Sequence, residues 1–157
     1  MVGGMTPTQH TASPTRSRAQ AIRDMVEIRL AVNAAGPAIE AILKANGFIL
    51  PSADWSKVFP HWLIATVEDD VIGCCQVLPS KPVGYVEFLF AKPDTPFKLR
   101  AIALRKLIIQ SMATLHVAGC QYVGGVVAQK NRKFAGVLEK LNFSKSFQAD
   151  LFVKRLV

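Results

Sequence analysis

The sequence predicts one α/β or α+β sandwich domain behind a basic arm, and three observations carry that expectation. Half of the 157 residues are apolar, enough for a substantial core without disulfides or metal. Apolar residues recur with period two in some segments and with helical period in others, in the order strand, helix, three strands, helix, strand, helix, strand. The composition also changes at Met25. Residues 1–24 are rich in Thr, Ser, Pro, Gly and Arg with little apolar content and read as a flexible arm, whereas 25–157 reads as a single domain.

Met25 to Val32 alternates as a strand with Val26, Ile28 and Leu30 on one face. From Ala34 the pattern turns helical: Gly36-Pro37 suits a first turn, Ile39, Ile42 and Leu43 line one face, and Asn46-Gly47 stops it. Phe48 to Pro60 is a Pro-containing connection in which Trp55 and Phe59 are expected to plug the core. Trp62–Val67 and Val71–Leu78, joined by Glu68-Asp69-Asp70, read as an antiparallel hairpin, and Val83–Ala91 as a third apolar strand closed by Lys92-Pro93. Leu99–Val117 reads as a long helix with Leu104, Leu107, Ile108, Met112 and Leu115 in one stripe, and with Arg105 and Lys106 facing out. Gln121–Ala128 is a strand. A short helix follows, capped by Asn131, with Val137, Leu138 and Leu141 as its apolar stripe and Asn142 as a left-handed stop, before a last strand from Phe147 to Val157.

Cys74, Cys75 and Cys120 are odd in number and lack zinc-site spacing, so they read as buried thiols of a cytosolic-type protein; neighbours on a strand point to opposite faces. Leu107 to Ala128 carries no charge, but its polar residues and the break at Ala118-Gly119 make it helix, turn and buried strand, not a membrane span. Met1 to Arg23 lacks the apolar stretch of a signal peptide, which together with the thiols predicts a cytoplasmic location. Net charge is +2 over residues 1–24, −3 over 25–91 and +9 over 92–157, giving the chain +8. A basic C-terminal half suits a nucleotide-bearing cofactor, nucleic acid or an acidic protein surface, or else simply solvates helix faces. The basic, acid-poor arm also suggests docking on nucleic acid or on a neighbouring subunit as an assembly partner; a mitochondrial transit peptide shares its composition but is the lesser reading.

The segment Asn131-Arg-Lys-Phe-Ala-Gly-Val-Leu-Glu-Lys-Leu-Asn-Phe143 resembles a block of the GNAT family of acyl-CoA N-acyltransferases, roughly Asn-x-x-Ala-x-x-x-Tyr-Glu-Lys-Leu-Gly-Phe. Asn131, Glu139, Lys140, Leu141 and Phe143 match; Phe134, Leu138 and Asn142 depart. The element order over Met25–Val157 also matches that family. The resemblance implies a mixed, mostly antiparallel central sheet flanked by helices, with Val83–Ala91 and Gln121–Ala128 splayed around a slot for the pantetheine arm of acetyl-CoA. It implies no metal. Small GNAT-like proteins of tailed bacteriophages, including virion components, are similar in the basic, glycine-free loop before the long helix and in an aliphatic residue at the tyrosine position. That likeness implies an alternative, non-enzymatic role in a virion or its assembly.

Acyl transfer to an amine needs an anchored pyrophosphate, a base for the amine and stabilisation of charge at the thioester carbonyl and leaving sulfur. The family's pyrophosphate loop, Arg-Gly-x-Gly-x-Gly, corresponds here to Pro93–Arg105 in one of two registers. Anchored on Arg100, its glycines become Ala101, Ala103 and Arg105; anchored on Pro93, they become Phe97, Leu99 and Ala101. Neither keeps a glycine, and Lys98, Arg100, Arg105 and Lys106 offer charge in place of close backbone approach. The resemblance assigns the backbone of Leu89, Phe90 and Ala91 to pantetheine, Lys98, Arg100, Ala101 and Ala103 to the pyrophosphate, and Asn131 to the same cofactor. Glu87 is either the base for the amine, with its pKa raised if it faces the slot, or a solvated strand residue. Leu138 stands where the family often has a leaving-group tyrosine. Tyr85 and Tyr122 are then either substitutes for that acid or ordinary core aromatics.

Overall fold

A computed structural model describes residues 17–48, 61–125 and 132–144. The chain divides into a unit ending at Gly124 and a second unit from Gly125. Trp55, Phe59, Asn131, residues 126–128 of the expected strand and the expected strand from Phe147 lie outside the described residues.

In the first unit a helix α1 (Arg18–Asp24) leads into β1 (Val26–Leu30), a 3-10 turn (Asn33–Ala35), α2 (Gly36–Ala45), β2 (Trp62–Val67), β3 (Asp70–Leu78), β4 (Val83–Ala91), α3 (Phe97–Val117) and β5 (Tyr122–Gly124). The sheet order is β1-β2-β3-β4-β5; the first four strands pair antiparallel, and β5 runs parallel to β4. A parallel neighbour needs a crossover, which α3 supplies.

The elements follow local chemistry. Pro37 near the start of α2 loses no hydrogen bond, and Gly47 at φ 85° takes the left-handed residue after its end. One core lies where α3 meets the sheet, built from Val26, Leu63, Ala65, Ile72, Cys75, Val77, Ala103, Leu107, Leu115 and Cys120. A second lies on α2, with Ile39, Ile42 and Leu43 against Trp62, Ile64 and Cys74. The sheet is thus buried on both faces, which explains why β2 reads as a continuous apolar run, not an alternating one.

Several expectations are corrected. The last residues of the arm form a helix, because the Ser17 hydroxyl accepts from the Gln20 N–H at 3.2 Å and Ala, Gln and Arg favour helix. Lys106 does not simply face out: its Nζ donates to the Arg23 carbonyl at 2.8 Å and the Val26 carbonyl at 2.7 Å, tying the end of α1 to α3. Leu30 shares the parity of Val26 and Ile28, yet it is exposed, at the mouth of a small cavity that it lines with Leu63, Val77 and Thr114 of α3.

Cys74 and Cys75 do point to opposite faces, one in each core. All three cysteines are free and buried. Desolvation pushes the Cys74 thiol well up and that of Cys75 to about 11, the latter eased by a 3.4 Å hydrogen bond with Ser111. These folded-state values exceed the unfolded value of about 9, so the unfolded chain loses protons first as pH rises. Stability is therefore expected to be flat below about pH 8.5 and to fall by about 1.4 kcal/mol per pH unit per thiol above it. Urea titrations between pH 8 and pH 11 check this against a Cys75→Ser variant, which should show a shallower decline.

In the second unit, α4 (Arg132–Lys140) ends as the sequence predicts. Asn142 takes φ 64°, and the N–H groups of Leu141 and Phe143 both donate to the Leu138 carbonyl.

Candidate functional site

The long helix begins where the resemblance put the pyrophosphate. α3 starts at Phe97 after Pro96, and its first turn-closing bond runs from the Arg100 N–H to the Pro96 carbonyl at 3.1 Å. The N–H groups of Phe97, Lys98 and Leu99 precede that bond, so they have no acceptor within the helix, and no side chain caps them. The first turn holds no acidic residue, while Lys98 and Arg100 put positive charge at the positive end of the helix dipole. That is unfavourable in isolation; an anion reverses its sign. Arg100 Nε is buried with no hydrogen-bond partner among the described residues.

This geometry bears differently on the two loop registers. Ala101, Ala103 and Arg105 lie in the helix beyond its first turn, where N–H groups are spent on intrahelical bonds. Ala103 is fully buried, 0 % exposed, in the core under α3 and cannot touch a ligand. Phe97 and Leu99, two positions of the register anchored on Pro93, carry N–H groups with no acceptor among the described residues. Phe97 is 76 % exposed and leaves the end of the helix open, whereas Leu99 packs on the core. A cavity of about 350 Å³ beside the helix start is lined by Glu68, Asp70 and Asp94 against one cation, Lys92, which pairs with Asp70 at 3.1 Å. Its negative balance is unsuited to phosphates, and Lys98 and Arg100 do not line it.

β4 supplies the second part. Cys74 faces Phe90 but Gln76 faces Glu87, so β4 carries one extra residue between them, and Phe88 sits at φ 50°. A bulge of this kind bends the strand and leaves backbone groups out of the ladder. Gly84 and Val86 face α3, Phe88 and Phe90 pack on the opposite core, and Leu89 returns to the α3 side. Pairing with β5 stops at Tyr85↔Gly124. Among the described residues no strand pairs with Val86–Ala91 on that edge. The Ala91 carbonyl accepts from Asn46 Nδ2 at 3.2 Å, which fastens the end of α2 to the strand end.

A five-stranded mixed sheet, a bulged fourth strand and an uncapped start of α3 characterise the first unit. The chain superposes on the aminoglycoside N-acetyltransferase AAC(6')-Iy in complex with CoA with TM-score 0.69 at 18 % identity, covering 92 % of this chain and 100 % of that one. The fold is that of the GNAT acetyltransferases. An aminoglycoside acetyltransferase from an uncultured soil metagenomic sample, solved with trehalose, gives 0.66 at 16 % identity over 87 % of this chain and 99 % of the other. The N-acetylglutamate synthase of Neisseria gonorrhoeae, complexed with coenzyme A and L-arginine, gives 0.62 at 16 % identity over 72 % of this chain. This GNAT-fold chain spans only 27 % of the length of that synthase. No protein-family model matches the sequence, and no curated protein aligns with it significantly.

Within the GNAT fold the expected site residues separate. Lys98, Arg100 and the exposed Ala101 lie at or next to the start of α3, and Leu89, Phe90 and Ala91 follow the bulge of β4. Glu87 is exposed, on the same face as Tyr85 by strand alternation and opposite Gln76 in the register. Burial therefore does not prepare it as a base. Tyr85 and Tyr122 are exposed, not core aromatics. Leu138 lies half-buried on α4 and brings no proton. Among the described residues no group of His, Cys, Asp or Glu could hold a metal ion, and no helix is long and apolar enough to cross a membrane. The bulge was missed in the sequence; a polar Glu87 followed by three large apolar residues was its only trace.

Proposed function

We propose that this protein binds an acyl-CoA thioester and transfers the acyl group to an amine, with slow turnover. The observation that carries the reading is the start of α3: N–H groups of Phe97, Lys98 and Leu99 without acceptors, two cations and no acid in one turn. Those groups receive the diphosphate, and Arg100 supplies the orphaned Nε. The edge of β4 at Leu89–Ala91, with which no strand pairs among the described residues, receives the pantetheine amides as an added strand would be received. Glu87 takes the proton of the attacking amine, directly or through water, as the new C–N bond forms and the C–S bond breaks. Leu138 offers no proton to the leaving sulfur, which departs as thiolate and is protonated by solvent. A thiolate is a far better leaving group than an alkoxide or an amide anion, so losing that acid slows the reaction without forbidding it.

Thermal unfolding with added acetyl-CoA tests the binding step. A ligand of the native state at about a hundred times its Kd stabilises by about 2.7 kcal/mol, which for a chain of this size raises Tm by several degrees. No shift at millimolar acetyl-CoA would sink the proposal. A second reading, a GNAT-fold interaction module such as a phage virion or assembly component, draws on large exposed side chains at Phe97, Val117 and Tyr122. It is favoured if acetyl-CoA leaves Tm unchanged.

A further inference from the structure

β1 is the outer strand of the sheet, and among the described residues nothing pairs with its free edge. The Ala31 N–H donates to the Trp62 carbonyl at 2.9 Å, one step beyond the register that sets Leu30 opposite Leu63. Hydrogen-bonding direction alternates along an antiparallel strand. The peptide groups of Glu27 and Arg29 therefore point toward β2, and those of Val26, Ile28 and Leu30 point outward. The Val26 carbonyl agrees, since it accepts from Lys106 Nζ and so faces away from β2.

The side chains on this edge form a pattern with a two-fold character. Glu27 and Arg29 are exposed, opposite in charge, symmetrically placed about Ile28, and joined within the chain at 2.6 Å. Leu30 is 61 % exposed, and Met25 and Val32, which flank the two ends of the strand, are exposed as well. Charges on an edge strand ordinarily deter pairing. Here they select one arrangement. Antiparallel pairing of two β1 strands about an axis at Ile28 sets Glu27 of each copy opposite Arg29 of the other, and Val26 opposite Leu30. Parallel pairing in register would set Glu27 against Glu27 and Arg29 against Arg29, which like-charge repulsion disfavours.

In the antiparallel arrangement the outward peptide groups of Val26, Ile28 and Leu30 meet their counterparts. The charged pairs then fall at the non-hydrogen-bonded sites, where side chains on opposing strands come closest. The Val26 carbonyl has two lone pairs, so it keeps Lys106 while accepting the Leu30 N–H of the other copy. We infer that this chain forms a homodimer by joining β1 to β1 across a two-fold axis, making one sheet continuous through both copies. An isologous contact of this kind closes on itself and leaves no further β1 edge for growth.

Sedimentation of the full chain tests this, with a concentration-dependent monomer–dimer equilibrium as the expected result. Glu27→Arg and Arg29→Glu each place like charges at both symmetry-related pairs, and each is expected to weaken the dimer about tenfold or more. The double variant Glu27→Arg/Arg29→Glu restores opposite pairs and should return to the wild-type Kd. An equimolar mixture of the two single variants should form heterodimers more readily than either self-associates, an outcome that a defect in folding does not produce. Both side chains are exposed, so the Tm of the monomers should barely change. A wild-type chain that stays monomeric at the highest attainable concentration overturns the inference, as does a dimer indifferent to both single substitutions or not restored by the double variant.

Discussion

Replacing Trp62 with alanine is expected to cost about 3–5 kcal/mol and to lower Tm by more than about 6 °C. Trp62 is fully buried and packs with Ala31, Ala35, Ile39, Ile42, Leu43, Ile64 and Cys74 in the core on α2. Its ring also stacks on Phe88, with centroids 5.9 Å apart and planes 20° from parallel. Phe88 in turn meets Phe48 edge-on at 5.9 Å, and Phe48 lies 4.9 Å from Phe90. A non-glycine residue at φ 50° costs on the order of 1–3 kcal/mol and persists only where its surroundings hold it. This aromatic group is what holds it. Removing the indole therefore opens a cavity and also releases the bulge at Phe88. The loss should appear twice, in the urea midpoint and in a smaller Tm shift with acetyl-CoA, whereas Trp62→Phe keeps the stack and recovers most of both. A Trp62→Ala variant within about 1 kcal/mol of wild type would mean that the stack does not support the bulge.

The parts of this molecule that were legible in the sequence are those set by local periodicity and caps. β2 and β4 have the limits that their apolar runs imply, α2 starts at Gly36-Pro37 and ends before Asn46-Gly47, and Asn142 adopts the left-handed stop. Each of these follows from residues within a few positions. Harder to read were features decided by distant partners. The role of Lys106 depends on carbonyls some eighty residues away. The pyrophosphate register was ambiguous because no glycine marks it; the proposed one follows from the starting point of α3, where the first-turn N–H groups have no acceptor within the helix. Ala103 shows the limit of carrying a motif over by spacing alone. Its alanine fits the helix core as well as it fits a vestige of a glycine.

Glu87→Gln is expected to lower kcat for acyl transfer by about 10²–10⁴-fold while leaving the acetyl-CoA thermal shift and the unfolding midpoint in place. Glutamine keeps the size and hydrogen-bonding reach of the side chain but cannot take the proton of the amine. Because Glu87 is exposed and sits opposite Gln76, its removal creates no cavity and strands no buried partner, so a structural explanation would predict little change in any assay. Selective loss of kcat is then the signature of proton transfer. The proposed neighbours predict a different split: Lys98→Glu and Arg100→Glu should raise KM for acetyl-CoA, more strongly at low salt, because they act on the charge of the diphosphate and not on the amine. An unchanged kcat in Glu87→Gln would assign this residue to the solvated face of β4. The amine would then have to arrive already deprotonated, and the rate should rise with pH through the pKa of the amine itself.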